Sequence, residues 1–365
     1  MAKSARKIRY AVVGAGNIAQ VAILPAFEHA KENSELVALV SGDVEKRAAL
    51  RDKYGLELDG DYPDFERVLE QGRIDAVYVA TPNALHKDFT LRAASRGVHV
   101  LCEKPLAPTA AECREMDDAC TGAAVKLMVA YRLHFEEATL AALEVVRSGK
   151  LGELRLFDSF FSHVLRPGDV REDPSLAGGA AYDLGVYCIN AARNLFDAEP
   201  TSVSAEIIER NGTDDTTTAS LRFPGNRLAQ FCLSNSVAGV SSYRIGGSAG
   251  DLRVEPAYEY TEELVHYLTL DGETKKTSFK RGDQFAPEIK YFSNCILNDI
   301  TPEPSAEEGF CDIRVVEAIL ASGRSHRPVE LMPYIRRQRP SRDQVDHEPP
   351  VKKQSTVKAP SPSLR

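Results

Sequence analysis

No stretch of the 365 residues stays apolar long enough to cross a bilayer, so the sequence predicts no membrane partner. Positive charge is also short. With 45 lysines and arginines against 53 aspartates and glutamates, the formal net charge is −8, which offers no overall field to gather a phosphodiester backbone. Nucleic acid is not expected to bind on those grounds. The seven cysteines (Cys102, Cys113, Cys120, Cys188, Cys232, Cys295 and Cys311) are odd in number and scattered, with no CxxC pairing. They read as reduced core thiols, and no metal site is read from them. In MAKSARKIRYAVVG no separate apolar segment or small-residue cleavage site precedes the first strand, so no signal peptide is read and a cytoplasmic location is expected. What is present is a 43% apolar chain, long enough for two domains with ordinary cores, whose default ligand is a small molecule.

The pattern divides the chain into three parts. From Ile8 to Val13 runs a continuous apolar strand ending at Gly14, and strand and helix then alternate through strands at Leu36–Val40, Ala76–Ala80, Val98–Cys102 and Lys126–Ala130. That order predicts an α/β Rossmann domain, a doubly wound parallel sheet, over residues 1–130. Residues 131–332 change character: extended alternating segments such as Ser202–Glu209, Thr216–Phe223 and Leu228–Ser236, with a Pro224-Gly225-Asn226 turn, predict an α+β domain built on a large, mainly antiparallel sheet. Residues 333–365 are rich in proline, serine and charge, and the composition predicts a disordered tail.

The chemistry-bearing residues cluster at the expected strand tips. Gly14-Ala15-Gly16-Asn17-Ile18-Ala19 has the GxGxxA form between the first strand and first helix. There Gly14 permits a tight turn, Gly16 lets the backbone approach a pyrophosphate, and Asn17 and Ile18 open the helix whose amides receive it. At the second strand's tip, Ser41 puts a neutral hydroxyl where an acid would bind the ribose of NAD, and Lys46 and Arg47 are close enough to pair with a 2′-phosphate, which favours NADP. Alternatively Asp43 is the ribose ligand, Lys46 and Arg47 are a solvated helix face, and NAD is the cofactor. At the third tip, Thr81, Pro82 and Asn83 can line the cofactor groove, while His86 is either a proton-transfer group or a structural histidine. The fourth tip delivers Glu103 and Lys104, a pair suited to polarising a reacting oxygen unless Lys104 is merely a surface lysine. In the second domain Asp183 and Tyr187 lie four residues apart, on one helix face; a helix cap and a packed aromatic are the bland alternative.

Three segments, GAGNIA at Gly14, CEKP around Lys104 and GGAAYDLGVYCIN at Gly178, resemble the Gfo/Idh/MocA oxidoreductase family over roughly Ile8 to Leu331. The resemblance implies hydride transfer between nicotinamide and the hydroxyl or carbonyl carbon of a sugar, cyclic polyol or diol, with Lys104 acting at the substrate, Asp183 beside it and Tyr187 as acid/base. Many members carry histidine where this chain has Tyr187. That tyrosine, with Tyr131-Arg132 and Arg171, is similar to the branch holding glucose-fructose oxidoreductase, NADP-dependent xylose dehydrogenase and dihydrodiol dehydrogenase, and adds Arg132 and Arg171 to the cofactor-side residues. A phenol ordinarily titrates near pH 10, so the ammonium of Lys104 is expected to stabilise the phenolate. A homodimer or homotetramer is expected from the family. The competing expectation is a catalytically silent regulator that binds dinucleotide and sugar.

Overall fold

The computed structural model describes residues 6–364; residues 1–5, the start of the basic lead-in, and residue 365 lie outside them. β1 (Ile8–Val13) has almost no exposed side chain, as a central parallel strand covered on both faces requires. Around it β2 (Ser34–Val40), β3 (Leu58–Gly60), β4 (Ala76–Val79), β5 (His99–Glu103) and β6 (Leu127–Ala130) form a six-stranded sheet in the order β3-β2-β1-β4-β5-β6. Its described pairings are all parallel. The connecting helices are α1 (19–26), α2 (Val44–Tyr54), α3 (Phe65–Gly72), α4 (His86–Ala94) and α5 (Ala110–Gly122). The first turn of α1 is widened, with Leu24 N–H donating to Ala19 O five residues back. The order reverses between β1 and β4, and the ligand crevice of an open α/β sheet lies at such a switch point.

The second sheet is larger and mixed, and it completes the architecture expected from the sequence. After α6 (Glu137–Arg147) come β7 (Leu154–Leu165), α7 (Val186–Phe196) and strands β8 (Ser202–Arg210), β9 (Thr213–Phe223), β10 (Arg227–Ser234) and β11 (Ser236–Gly247). Gly225 and Asn226, both at positive φ, make the turn between β9 and β10. β12 (Gly250–Val254), β13 (Leu264–Leu270) and β14 (Glu273–Phe279) extend the sheet beyond the strands read from the sequence. Its described pairings are antiparallel except β10 with β7; the two longest strands, β7 and β11, pair antiparallel.

Two helices tie the sheets together. α9 (Ala306–Ser325) lies between α5 and β8. α8 (Ala286–Leu297) comes from the C-terminal half of the chain, yet its Ala286, Ile289 and Phe292 pack with Tyr10, Tyr78 and Leu101 on one face of the parallel sheet. Tyr10 OH meets Ser293 Oγ there at 2.8 Å.

The tail departs from its composition. Instead of a solvated terminus, residues 333–364 run along both domains. The Arg336 guanidinium is fully buried, donating to Asn194 Oδ1 at 2.7 Å and Glu308 Oε2 at 2.9 Å, and Gln344 Nε2 donates to Glu303 O at 2.9 Å. β15 (Val329–Glu330) pairs with β8, and a final strand, β16 (Ser363–Leu364), pairs with β7. Scarcity of apolar residues predicts the lack of a hydrophobic core; it does not register polar groups waiting in a folded body to receive hydrogen bonds.

Candidate functional site

A cleft of about 1420 Å³ opens at the carboxyl edge of the parallel sheet and reaches the face of the second one. Isolated ligand pockets run to about 300–1,000 Å³, so this one has room for a dinucleotide and a small substrate together. Its floor is the turn after β1. Gly14 sits at φ 104°, and a Cβ there would run into the carbonyl of Ala80 on the neighbouring strand. Gly16 has open space where its Cβ would stand, which is the cradle a pyrophosphate needs. Asn17 and Ile18 line the same floor.

Toward the adenosine end, Ser41 and Lys46 line the cleft. Asp43 caps α2, its carboxylate accepting from the backbone amides of Glu45 and Lys46 at 3.0 Å each. Those hydrogen bonds, the Lys46 amide first, keep its carboxyl below the usual range. Arg47, expected at a phosphate, is elsewhere. It donates to the Ser41 carbonyl and pairs with Asp59 at 3.4 Å and Asp61 at 3.6 Å, because two carboxylates at the β3 edge are nearer than the cleft. Thr81, Pro82 and Asn83 line the cleft at the tip of β4, and Thr81 Oγ1 is a buried hydroxyl without a hydrogen-bond partner. Such an orphan fits a ligand group arriving in the cleft. Of the two readings of His86, the structural one holds: it is 1% exposed, with Nδ1 2.9 Å from Pro105 O and Nε2 2.9 Å from Thr81 O, and does not line the cleft. It staples the β4 tip to the loop after β5, and burial pushes its pKa down.

At the far end the two domains bring three groups together. Lys104 Nζ donates to the carbonyl of Asp183 at 3.1 Å, lies 3.4 Å from its Oδ1, and stands 4.4 Å from the centre of the Tyr187 ring. Burial by itself would raise the Asp183 carboxyl; Arg171 at 3.0 Å, Lys104 and His163 override it and hold the group well below the usual carboxylate range. The Tyr187 hydroxyl accepts from Arg132 Nη2 at 3.3 Å, so a guanidinium, rather than the lysine ammonium, hydrogen-bonds the phenol oxygen. Arg132 is itself held by Gln284 and the carbonyl of Tyr258. Beneath Lys104, Tyr78 OH lies 3.0 Å from Glu103 and 2.7 Å from Glu288. One phenol proton cannot be donated to both carboxylates at once, and burial pushes Glu288 well above its ordinary value.

The residues 8–131 match the model of the oxidoreductase family with an NAD-binding Rossmann fold, and residues 139–253 match the C-terminal domain of the same Gfo/Idh/MocA group. The chain belongs to the Gfo/Idh/MocA oxidoreductase family. Among its relatives in that family is the D-xylose 1-dehydrogenase [NADP(+)] of Haloarcula marismortui, 31% identical over 89% of this chain and 93% of the other. The crystal structure of an aldose-aldose oxidoreductase from Caulobacter crescentus superposes with a TM-score of 0.85 at 35% identity, covering 89% of this chain and all of that one. A 3-ketoreductase from Actinomadura kijaniata, solved with NADP and TDP-benzene, gives 0.81 at 27% identity over 87% and 98% of the two chains.

Within this Gfo/Idh/MocA site, sequence reasoning missed several parts. His163, whose Nε2 is 3.6 Å from Asp183 Oδ2, stands in no local motif. Tyr258 packs its ring 5.9 Å from Tyr187 and 4.9 Å from Phe161, and Gln284 supports Arg132; no local motif marks either. Residues 358–364, read as part of a disordered tail, line the cleft.

Proposed function

We propose that this chain is an NADP-dependent dehydrogenase or reductase acting on a CH–OH carbon of a sugar, cyclic polyol or diol, with Tyr187 as the proton acceptor. One observation carries the reading: the Tyr187 hydroxyl, the Lys104 ammonium and the Asp183 carboxylate converge from two domains on the cleft that also holds the GxGxxA turn. The nicotinamide ring, when bound, accepts or returns a hydride. The protein's own groups manage the proton and the pose. Arg132 points a hydrogen bond at the phenol oxygen and favours the charge that develops when Tyr187 takes the substrate proton. Lys104 places a second cation above the ring, and Asp183 fixes it there while its other oxygen is held by Arg171. Ser41 and Lys46 at the adenosine end, and an Asp43 carboxylate spent on capping α2, support NADP over NAD.

The family relatives named for D-xylose and aldose chemistry support a sugar substrate. The register neighbours Leu156 and Leu228, 43% and 40% exposed on the large sheet, support a homodimer or homotetramer formed through that face. No helix among the described residues is long and apolar enough to cross a membrane, and the seven cysteines are free; the latter supports work in the cytoplasm.

The test is absorbance at the reduced-nicotinamide band with NADP and a panel of aldoses, ketoses and diols, run on the wild type and Lys104→Ala. Turnover by the wild type, lost in Lys104→Ala with NADPH binding retained, is the expected result. Binding of NADPH and sugars without turnover across the panel would support the regulator, and near-normal turnover by Lys104→Ala would remove the lysine from the mechanism.

A further inference from the structure

The C-terminal segment crosses the mouth of the cleft and is fastened on both sides. On the Rossmann side the buried side chain of Gln20 makes a two-way clasp with Val357, donating to its carbonyl at 3.0 Å and accepting from its amide at 2.7 Å. Asn17 Nδ2, from the turn that cradles the pyrophosphate, donates to Ala359 O at 3.0 Å. On the other side the Arg166 amide donates to Pro362 O at 2.7 Å, its Nε donates to Ser361 O at 3.1 Å, and Ser363 and Leu364 pair with Leu165 and Val164. Between these fastenings Lys358 lines the cleft with Ser41 and Lys46.

The position of Lys358 matters because it brings a second cation beside Ser41 and Lys46, at an end where acids also stand. Asp43 and Glu45 put two negative charges at the start of α2, and Arg47 is committed to Asp59 and Asp61. A 2′-phosphate near Ser41 would meet Lys46 alone against those acids. Lys358 Nζ lies 2.6 Å from Glu45 Oε2 and 4.0 Å from Asp43 Oδ2, so it neutralises the acids and adds a cation at the same place. Its side chain is half exposed, which leaves it free to exchange Glu45 for a phosphate oxygen.

We propose that residues 357–364 are a strap over the bound dinucleotide and that Lys358 on it is a specificity residue reading the 2′-phosphate of NADP. The proposal rests on the NADP reading above. The strap closes on the cofactor from the rim, so a 2′-phosphate adds an ion pair at Lys358 to the fastenings already in place, and NAD adds none.

The experiment compares wild type, Lys358→Ala and Lys358→Glu by NADPH and NADH fluorescence titration; the residue is exposed, so both variants keep the fold. Lys358→Ala is expected to raise the Kd for NADPH about tenfold while changing that for NADH less than about twofold, and Lys358→Glu to raise the first further. In the wild type, NADP is expected to slow tryptic cleavage after Lys358 more than NAD does. An NADPH-to-NADH preference unchanged in both variants, or cleavage after Lys358 equally fast with and without NADP, overturns the proposal. A wild type that binds neither coenzyme would instead overturn the cofactor reading on which it rests.

Discussion

Replacing Tyr187 by Phe removes one oxygen and leaves almost everything else in place. The ring keeps its contacts with Phe161, 5.6 Å between centres, and with Tyr258 at 5.9 Å, and it still presents its face to the Lys104 ammonium at 4.4 Å. That cation–π contact is worth about 1 kcal/mol and survives the change. Arg132 loses a 3.3 Å hydrogen bond but retains Gln284 and the Tyr258 carbonyl, so no buried guanidinium is orphaned and the cost to stability is about 1 kcal/mol. Chemistry loses far more. A positioned proton acceptor contributes about 10²- to 10⁴-fold, which corresponds to roughly 3–5 kcal/mol of transition-state stabilisation. The assay is steady-state NADP reduction with a turned-over sugar, alongside NADPH titration and urea unfolding of the same preparations. We expect kcat/KM to fall by about 10²–10⁴ while the Kd for NADPH stays within about twofold. A variant that binds coenzyme normally and turns over within about fivefold of wild type would refute Tyr187 as the acceptor.

Stability offers two further checks. His134 lies buried 3.0 Å from Glu303; burial works against its charged form, the carboxylate overrides burial, and its pKa is raised to about 9. A folded value above the ordinary 6.5 means that the stabilisation is complete below pH 6.5 and is lost as the pH rises toward 9. Urea unfolding should therefore show wild type losing about 3 kcal/mol relative to His134→Gln across that window, and parallel profiles would refute the pairing. Arg336→Ala should cost about 3–5 kcal/mol, because it leaves the Glu308 carboxylate buried with one cation fewer. A loss under about 1 kcal/mol would return the tail to solvent.

Much of the fold was legible because parallel strands and their tips have strong local signatures. The apolar run at Ile8–Val13 coincides with β1, and the alternating segment Ser202–Glu209 falls within β8. Lys104 was legible as a candidate from its strand tip, while the four-residue spacing of Asp183 and Tyr187 left a helix cap and a packed aromatic open, and their proposed roles came from the family resemblance. Sequence adjacency misled at Arg47, since it does not say which way a side chain turns when two aspartates lie on the next strand. β14 was missed because Lys275 and Lys276 stand side by side and no residue of the strand is buried, so it carries no alternation. The strap left no periodic trace at all: its fastenings are backbone groups held by Gln20, Asn17 and Arg166, and those three residues are far away in the sequence.

The return of α8 to the parallel sheet has a consequence for how this protein is made. Six strands are complete once Ala130 has been synthesised, but Tyr10, Tyr78 and Leu101 remain without Ile289 and Phe292 until the ribosome has passed Leu297. At ordinary translation speeds that interval is roughly ten to thirty seconds, during which the part of that face not covered by α1 is bare and sticky. A gene fragment ending at residue 130 would fix that nascent condition permanently, so the dinucleotide half cannot be moved as a cassette cut at its last strand.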